Sequence, residues 1–396
     1  MATFSIRFLG CKVSQTDAQA LRERLVRDGH LEADGQGEVA VVNTCCVTNE
    51  GLAKSRQAAS RAARTHARVY VTGCGARISA TAFAGMPANV TVVPGQIEEA
   101  VETVAGDVGP IGCVQADARL DRVRAFVKIQ DGCSFGCAFC VIPLVRGATR
   151  SRSAEAVLGE IRRRVAQGHR EIVLTGVNLG CFRDRAAGLT LAGLIRAAGA
   201  IDGVERLRLS SIEVNHVDAE LVAALRETPA VGPHLHVPLQ SGADCVLKAM
   251  ARRYTAAAYV RKLEPLAGFN LTADVIVGFP AEDDAAFERT LDTVRAAALT
   301  KVHVFPYSPR PGTRTADADT VPPQVKKERS ARLRALSDAA CQARWAGKVG
   351  REDVVLVDRP GRGYGADYSP WLVDGRVGEL VPVRGAAVTG EGILAA

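Results

Sequence analysis

Short apolar runs recur along most of the chain, separated by longer stretches of helical periodicity. In the first hundred residues Phe4–Leu9, Glu38–Asn43, Arg68–Thr72 and Asn89–Val93 are rich in β-branched and aromatic side chains, as strands are. Helices are predicted over Ala18–Arg27 and near Gly51–Arg64. Strands alternating with helices bury their apolar faces as a parallel sheet covered by helices. The same rhythm resumes later, with strands predicted at Ala125–Ile129, Glu171–Thr175, Arg206–Ser210, His234–Val237, Ala273–Val277 and Lys301–Phe305. Six such units are too few to close an eight-stranded barrel, so a partial, open (β/α)6 barrel is expected. A long helix from Lys326 to about Trp345 follows it. Four short Gly/Val-rich strands, Asp353–Val357, Tyr368–Val373, Gly378–Val383 and Ala387–Gly392, then predict a small β-barrel. The fold class is therefore α/β, with expected domains at 1–112, 119–345 and 346–396 and a Gly/Pro-containing linker at Gly106–Gly112.

The chemistry sits where this pattern turns corners. Cys11, Cys45 and Cys74 follow the first three predicted strands. Strand ends of one type share an edge in a parallel sheet, and sites form at the carboxyl edge. Three thiols far apart in sequence are thus expected together, as a second cluster site or as core cysteines. Cys46 adjoins Cys45 and is expected to point elsewhere. A tighter set, Cys133, Cys137 and Cys140, occupies Asp-Gly-Cys-Ser-Phe-Gly-Cys-Ala-Phe-Cys, with Gly132 and Gly136 letting the loop curl. Three converging thiolates suit an iron–sulfur cluster with one iron left open. Structural zinc usually takes four ligands, and no fourth is near; three packing thiols are the remaining reading.

Composition narrows the setting. The 396 residues include 11 cysteines but no run of about 18 apolar residues, and the N-terminus lacks the plan of a signal peptide. A cytoplasmic location with reduced thiols and no membrane partner is expected, which favours metal or catalytic roles over disulfides. The net charge of +7 is uneven. Residues 119–170 hold 11 Lys/Arg against 4 Asp/Glu, and residues 301–334 hold 8 against 3. Such zones suit a polyanion such as RNA, or an ordinary solvated Arg-rich surface. Lys54, Arg56, Arg61, Arg64 and Arg68 admit the same two readings.

The loop C-x3-C-x2-C at Cys133, Cys137 and Cys140 resembles the signature of radical S-adenosylmethionine (SAM) enzymes. That resemblance implies a [4Fe–4S] cluster whose open iron is chelated by SAM, with Phe139 against the adenine. Leu9-Gly-Cys-Lys-Val-Ser14, Asn43-Thr-Cys45 and Val71-Thr-Gly-Cys74 further resemble the methylthiotransferase family, which carries a second [4Fe–4S] cluster on its N-terminal domain. Leu174-Thr-Gly-Val-Asn178, Leu209-Ser-Ser-Ile-Glu213, Pro238-Leu-Gln-Ser-Gly242, Val275–Pro280 and Phe305–Thr313 resemble it too. Within the family, Leu-Gly-Cys-Lys-Val and Phe126-Val-Lys-Ile-Gln-Asp-Gly-Cys133 look most like the branch acting on threonylcarbamoyladenosine (t6A) in tRNA. Ser14 stands where Asn is usual, and Ala281 where Gly is usual. The C-terminal strands resemble a TRAM domain, although 7 Lys/Arg balance 7 Asp/Glu over residues 342–396, so a structural cap is a fair alternative.

The resemblance implies that an electron from the Cys133/Cys137/Cys140 cluster cleaves SAM, and that the resulting radical takes hydrogen from adenine carbon 2. The Cys11/Cys45/Cys74 cluster presents sulfur, and a second SAM gives the methyl. Expected partners are a tRNA anticodon loop, a reducing electron donor and a sulfur donor. Polar residues at predicted strand ends, Thr175, Asn178, Ser210, Glu213 and Gln240, are candidate SAM contacts, although such residues also build turns. Arg146, Arg150 and Arg152, in a segment resembling the family's Arg-Gly-x-x-Arg-Ser-Arg, are candidates to hold substrate phosphate, or else to pair between domains. His234, His236 and His303 are expected to line the barrel, and Cys113, Cys181, Cys245 and Cys341 to pack. A ribosomal-protein aspartate or isopentenyladenosine as substrate, or an RNA-binding protein with structural clusters, are the rival readings.

Overall fold

The computed structural model describes residues 2–33, 35, 37–110 and 123–396. Cys113 and Arg119–Arg122 lie outside the described residues. The chain forms two compact units, Met1–Leu120 with Asp131–Ala148 and Ser308–Asp317, and Asp121–Gln130 with Thr149–Tyr307 and Ala318–Ala396. Both sets of three cysteines belong to the first unit.

The first unit is built on a parallel sheet of β1 (Thr3–Phe8), β2 (Leu31–Glu32), β3 (Val39–Thr44), β4 (Arg68–Gly73) and β5 (Val90–Val92), in the order β2-β1-β3-β4-β5. One apolar cluster gathers Phe4, Val39, Val41 and Tyr70 with Leu21 and Leu25; the other gathers Ala40, Val42, Val69 and Val71 with Ala58 and Ala59. The two sets alternate along the strands, as the two faces of a pleated sheet require. Helices α1 (Lys12–Arg27), α2 (Asn49–Ala62), α3 (Cys74–Ile78) and α4 (Ile97–Val108) connect and cover the strands. Helix α1 begins six residues before the start expected at Ala18. Its first turns bury Ser14 and Asp17, and polar residues turned inward break the amphipathic pattern. Helix α4 also extends into the expected linker, ending at Val108 before Gly109 with φ +76°.

In the second unit six parallel strands follow in chain order: Arg124–Asp131 (whose last residue joins the first unit), Glu171–Gly176, Arg206–Leu209, His234–His236, Asn270–Val277 and Lys301–Pro306. The first three pair side by side, the last three do likewise, and a parallel bridge between Ser211 and His236 joins the sets. Alternate residues, among them Ile172, Leu174, Leu207, Leu209, Ala273 and Val275, pack against helix residues such as Ile161, Leu194 and Phe287. The opposite face is polar where barrels are usually apolar: Glu171, Arg206, Arg208, His234, His236, Thr272 and Asp274 lie on it. His234 and His236 both bond Thr272 Oγ1, at 3.1 and 2.9 Å, in keeping with a lining role.

After a helix over Pro323–Ala346, the strands Glu352–Arg359, Arg362–Tyr364, Pro370–Leu372, Leu380–Val388 and Ile393–Ala395 close a barrel around buried Trp371. The fourth predicted strand, at Ala387–Gly392, is corrected. Strand Leu380–Val388 runs through its start, and Thr389 closes a turn by donating its N–H to Gly392 O and accepting the Glu391 N–H on Oγ1. Among the described residues no helix is long and apolar enough to cross a membrane.

Candidate metal centre and strand-end site

Three neighbouring strands, β1, β3 and β4, each deliver one cysteine at their carboxyl ends. Cys11 precedes α1, after Gly10 with φ +127°. A methyl group on Gly10 would stand 2.9 Å from Ser14 Oγ and 3.4 Å from Cys45 Sγ, so glycine serves both the turn and the close approach. The Cys45 N–H bonds buried Ser55 Oγ at 3.1 Å, and that hydroxyl donates to Gly51 O at 2.8 Å. Cys74 opens α3 after Gly73, whose φ is +90° and whose added methyl would meet Asn43 Oδ1 at 2.1 Å. Thr44 Oγ1 donates to Thr72 O at 2.6 Å and accepts the Ala76 N–H at 3.0 Å, which pins the turn carrying Cys74.

The thiols feel one another. Burial pushes the Cys45 thiol up, the Val47 backbone opposes this, and neighbouring Cys74 and Cys11 add to the rise. Cys74 is instead held down at about 7, first by a hydrogen bond from the Cys46 thiol and then, against burial, by the Arg146 charge. The expectation that Cys46 points elsewhere is corrected: strand alternation ends at Thr44, and beyond it the chain turns its thiol toward Cys74, among Val141 and Val145.

The second trio lies in the loop before α5 (Ile142–Arg146). Gly132 has φ +69°, and an added methyl would meet Ala148 O at 2.1 Å. The Cys133 N–H bonds Gly147 O at 3.0 Å, and the Phe135 N–H points at Cys133 Sγ from 3.4 Å. Thr315 donates to Ala138 O at 3.2 Å, and Arg314 donates to Gly136 O. Cys133, Cys137, Cys140 and Phe139 are all half-buried. Every described cysteine is a free thiol. Among the described residues no three His, Cys, Asp or Glu side chains form a cage for a metal ion. The donor chemistry is that of an iron–sulfur cluster: thiols in threes, glycine turns beside them, and N–H groups aimed at sulfur.

Arg146 departs from the expected outward grip on phosphate. It is 5% exposed, and its donors are engaged inside the unit. Nε points at Cys74 Sγ (3.2 Å), one terminal nitrogen at both Asp131 oxygens (3.1 Å each), and the other at Asp17 Oδ2 (2.8 Å). Arg150 is exposed, whereas Arg152 bonds Lys128 O at 2.7 Å and Glu160 at 2.6 Å.

In the second unit Thr175 is fully buried, and Asn178 and Ser210 are nearly so. Among the described residues Asn178 Oδ1 and Ser210 Oγ have no hydrogen-bond partner, so two polar atoms near adjacent strand ends remain to be satisfied. Gln240 adopts φ +65°, a strained conformation of the kind found at ligand sites. Glu213 is already engaged by Asn215 and Arg252. Of the other thiols, Cys341 is buried and donates to Thr300 O at 2.9 Å, and Cys181 lies 3.5 Å from His216 Nε2. Cys245 is exposed, which corrects its expected packing role: it sits on the outer side of a short helix. Lys54 and Arg68 pair with Glu50 and Glu38, as on a solvated face. Sequence does not single out Asp17, Thr44, Ser55 and Asp131; each has a partner 10 or more residues away, beside the local bonds of Asp131 to Gly132 and of Ser55 to Gly51.

The chain matches the radical SAM superfamily over residues 127–294 and the uncharacterized protein family UPF0004 over residues 3–95. It is 33% identical to a protein of Thermotoga maritima named threonylcarbamoyladenosine tRNA methylthiotransferase, with 100% of this chain and 96% of that one aligned. The Bacillus subtilis protein of the same name is 37% identical, over 85% of this chain and 81% of its own length. A tRNA-2-methylthio-N(6)-dimethylallyladenosine synthase of Roseobacter denitrificans is 32% identical, over 96% and 95%. Among solved structures, the radical SAM methyltransferase TsrM from Kitasatospora setae shares the fold with a TM-score of 0.57 at 15% identity, covering 79% of this chain and 76% of that one.

Proposed function

The chain belongs to the methylthiotransferase family of radical SAM enzymes, and from that premise we propose that it methylthiolates t6A in the anticodon loop of tRNA. The observation that carries the choice of substrate is the likeness to t6A enzymes along the whole chain. A chemical contrast supports it. Threonylcarbamoyl carries a carboxylate and a dimethylallyl group does not, and Lys12, directly after Cys11, places a cation beside the proposed sulfur-donating site.

In this reading Cys11, Cys45 and Cys74 hold one [4Fe–4S] cluster, and Cys133, Cys137 and Cys140 hold the other. When bound, the clusters and SAM supply the electron, the radical, the sulfur and the methyl. The protein contributes placement. Ser55, Thr44 and Gly73 fix the directions of Cys45 and Cys74, and the Phe135 N–H favours a thiolate at Cys133. By the family resemblance Phe139 would lie against the adenine of SAM; within the second unit Asn178 and Ser210 would offer their unmatched oxygens to polar groups of a ligand, with Thr175, Gln240 and Glu213 as further candidate contacts. Arg150, which is exposed, and the exposed side of Arg152 are proposed to contact phosphate. An anticodon loop fits because unpaired bases can splay out of the stack. The expected domains at 1–112, 119–345 and 346–396, a cytoplasmic setting, and external electron and sulfur donors belong to the same proposal.

Mass spectrometry of tRNA nucleosides from cells with and without the gene tests it. Loss of the methylthio group from t6A is the expected result. Loss from dimethylallyladenosine instead would move the substrate to the second reading, which identities of similar size to both groups of relatives keep open.

A further inference from the structure

Arg146 sits at one end of the cysteine loop and Asp131 at the other, and the two are joined by paired hydrogen bonds of 3.1 Å. The same guanidinium reaches Asp17 on α1 and the sulfur of Cys74 on α3. Asp17, Asp131, Cys74 and Arg146 are 3%, 7%, 6% and 5% exposed, so these bonds operate away from bulk water. Arginine suits the position because its planar fork spreads donors over three nitrogens in fixed directions, whereas the three donors of lysine share one nitrogen. A donor to a ligand sulfur, and a positive charge beside it, favour the more negative, reduced form of a cluster.

We propose that Arg146 is a positioning residue that sets the reduction potential of the cluster held by Cys11, Cys45 and Cys74, while tying the ends of the Cys133–Cys140 loop to that site. This rests on the reading that those three cysteines hold a cluster. The guanidinium does not touch substrate. It orients Cys74 and raises the potential of the cluster on it, and the Cys46 thiol is a second donor to the same sulfur.

The test uses the full chain with Cys133, Cys137 and Cys140 replaced by alanine, so that any remaining cluster is the one in question. Iron and acid-labile sulfide are assayed after anaerobic reconstitution, and the potential is read by redox titration followed by electron paramagnetic resonance. Arg146→Gln is expected to shift the reduction equilibrium about tenfold toward the oxidised form, a drop of about 59 mV for one electron. Arg146→Lys keeps the charge but not the fork. It is expected to fall between the two and to report even if Arg146→Gln folds poorly. An unchanged potential in Arg146→Lys and in folded Arg146→Gln, with iron content intact, overturns the proposal. Absence of iron from the triple-alanine parent instead overturns the cluster reading on which it rests.

Discussion

Two buried arginine–carboxylate clusters, one in each unit, are charged in opposite senses. In the second unit Glu171 is fully buried among three arginines, with Arg208 at 2.9 Å, Arg206 at 3.2 Å and Arg124 at 3.9 Å. Burial alone would raise its carboxyl pKa, but Arg208, Arg206 and Arg124 hold it below the usual range. The remaining donors end on the C-terminal barrel, mostly on neutral groups: Arg206 on Val354 O and Tyr364 O, Arg208 on Gly365 O and Ala366 O, and Arg124 on the Tyr368 hydroxyl and, at 3.3 Å, on Asp358 Oδ2. In the first unit a single guanidinium, Arg146, faces two carboxylates and a thiol. The cation-rich cluster consumes its donors in fastening two layers together. The anion-rich one directs its cation at sulfur. Burial and residue types are alike in both, and the ratio of charges separates a fastening from a tuning role.

The sharpest way to break this contrast is Glu171→Gln. It strands three buried arginines and is expected to cost about 3–5 kcal/mol, read from denaturant midpoints. The folded fraction should still reconstitute iron at the parental ratio. A cost below about 1 kcal/mol would mean that the carbonyls alone hold the arginines.

Asp367 probes the same fastening by pH. Burial opposes its ionisation, but Lys348 and Arg344 outweigh this and hold the carboxyl at about 2. A depressed folded pKa stabilises above the unfolded value of about 4 and is lost as pH falls toward 2. About 2 kcal/mol of stability should therefore disappear between those limits, and Asp367→Asn should flatten that part of the profile.

On the thiol side Ser55→Ala removes the acceptor for the Cys45 N–H. A loss of about 1 kcal/mol is expected, with faster release of iron to a chelator as the more telling readout. Cys245→Ser should change stability by no more than about 0.5 kcal/mol and leave iron content unmoved, because that thiol is exposed.

Much of this was legible in the chain. Strand positions followed from β-branched runs, and the delivery of Cys11, Cys45 and Cys74 to the carboxyl ends of neighbouring strands followed from parallel topology without any knowledge of contacts. The boundaries of α1 and the direction of Cys46 were not legible, because both depend on polar groups turned inward toward partners that only the folded chain supplies. Arg146 shows the limit most plainly. Its place in an arginine-rich segment suggests an outward phosphate contact, whereas Asp17, its partner 129 residues earlier, leaves no local mark. The alternation Arg206-Leu-Arg-Leu and His234-Leu-His did carry the polar strand face, but read as strand propensity alone it looked like an ordinary barrel wall.

The arginines that receive the C-terminal barrel are synthesised long before it. Arg206 and Arg208 precede their carbonyl partners by 148 to 159 residues, and Arg124 precedes Asp358 by 234. At about 5–20 residues per second the first of these gaps lasts roughly 7–30 s on the ribosome. During that interval the amino-terminal rim of the strands is a cationic surface without its cover, and a transcript truncated before residue 354 would leave it so permanently.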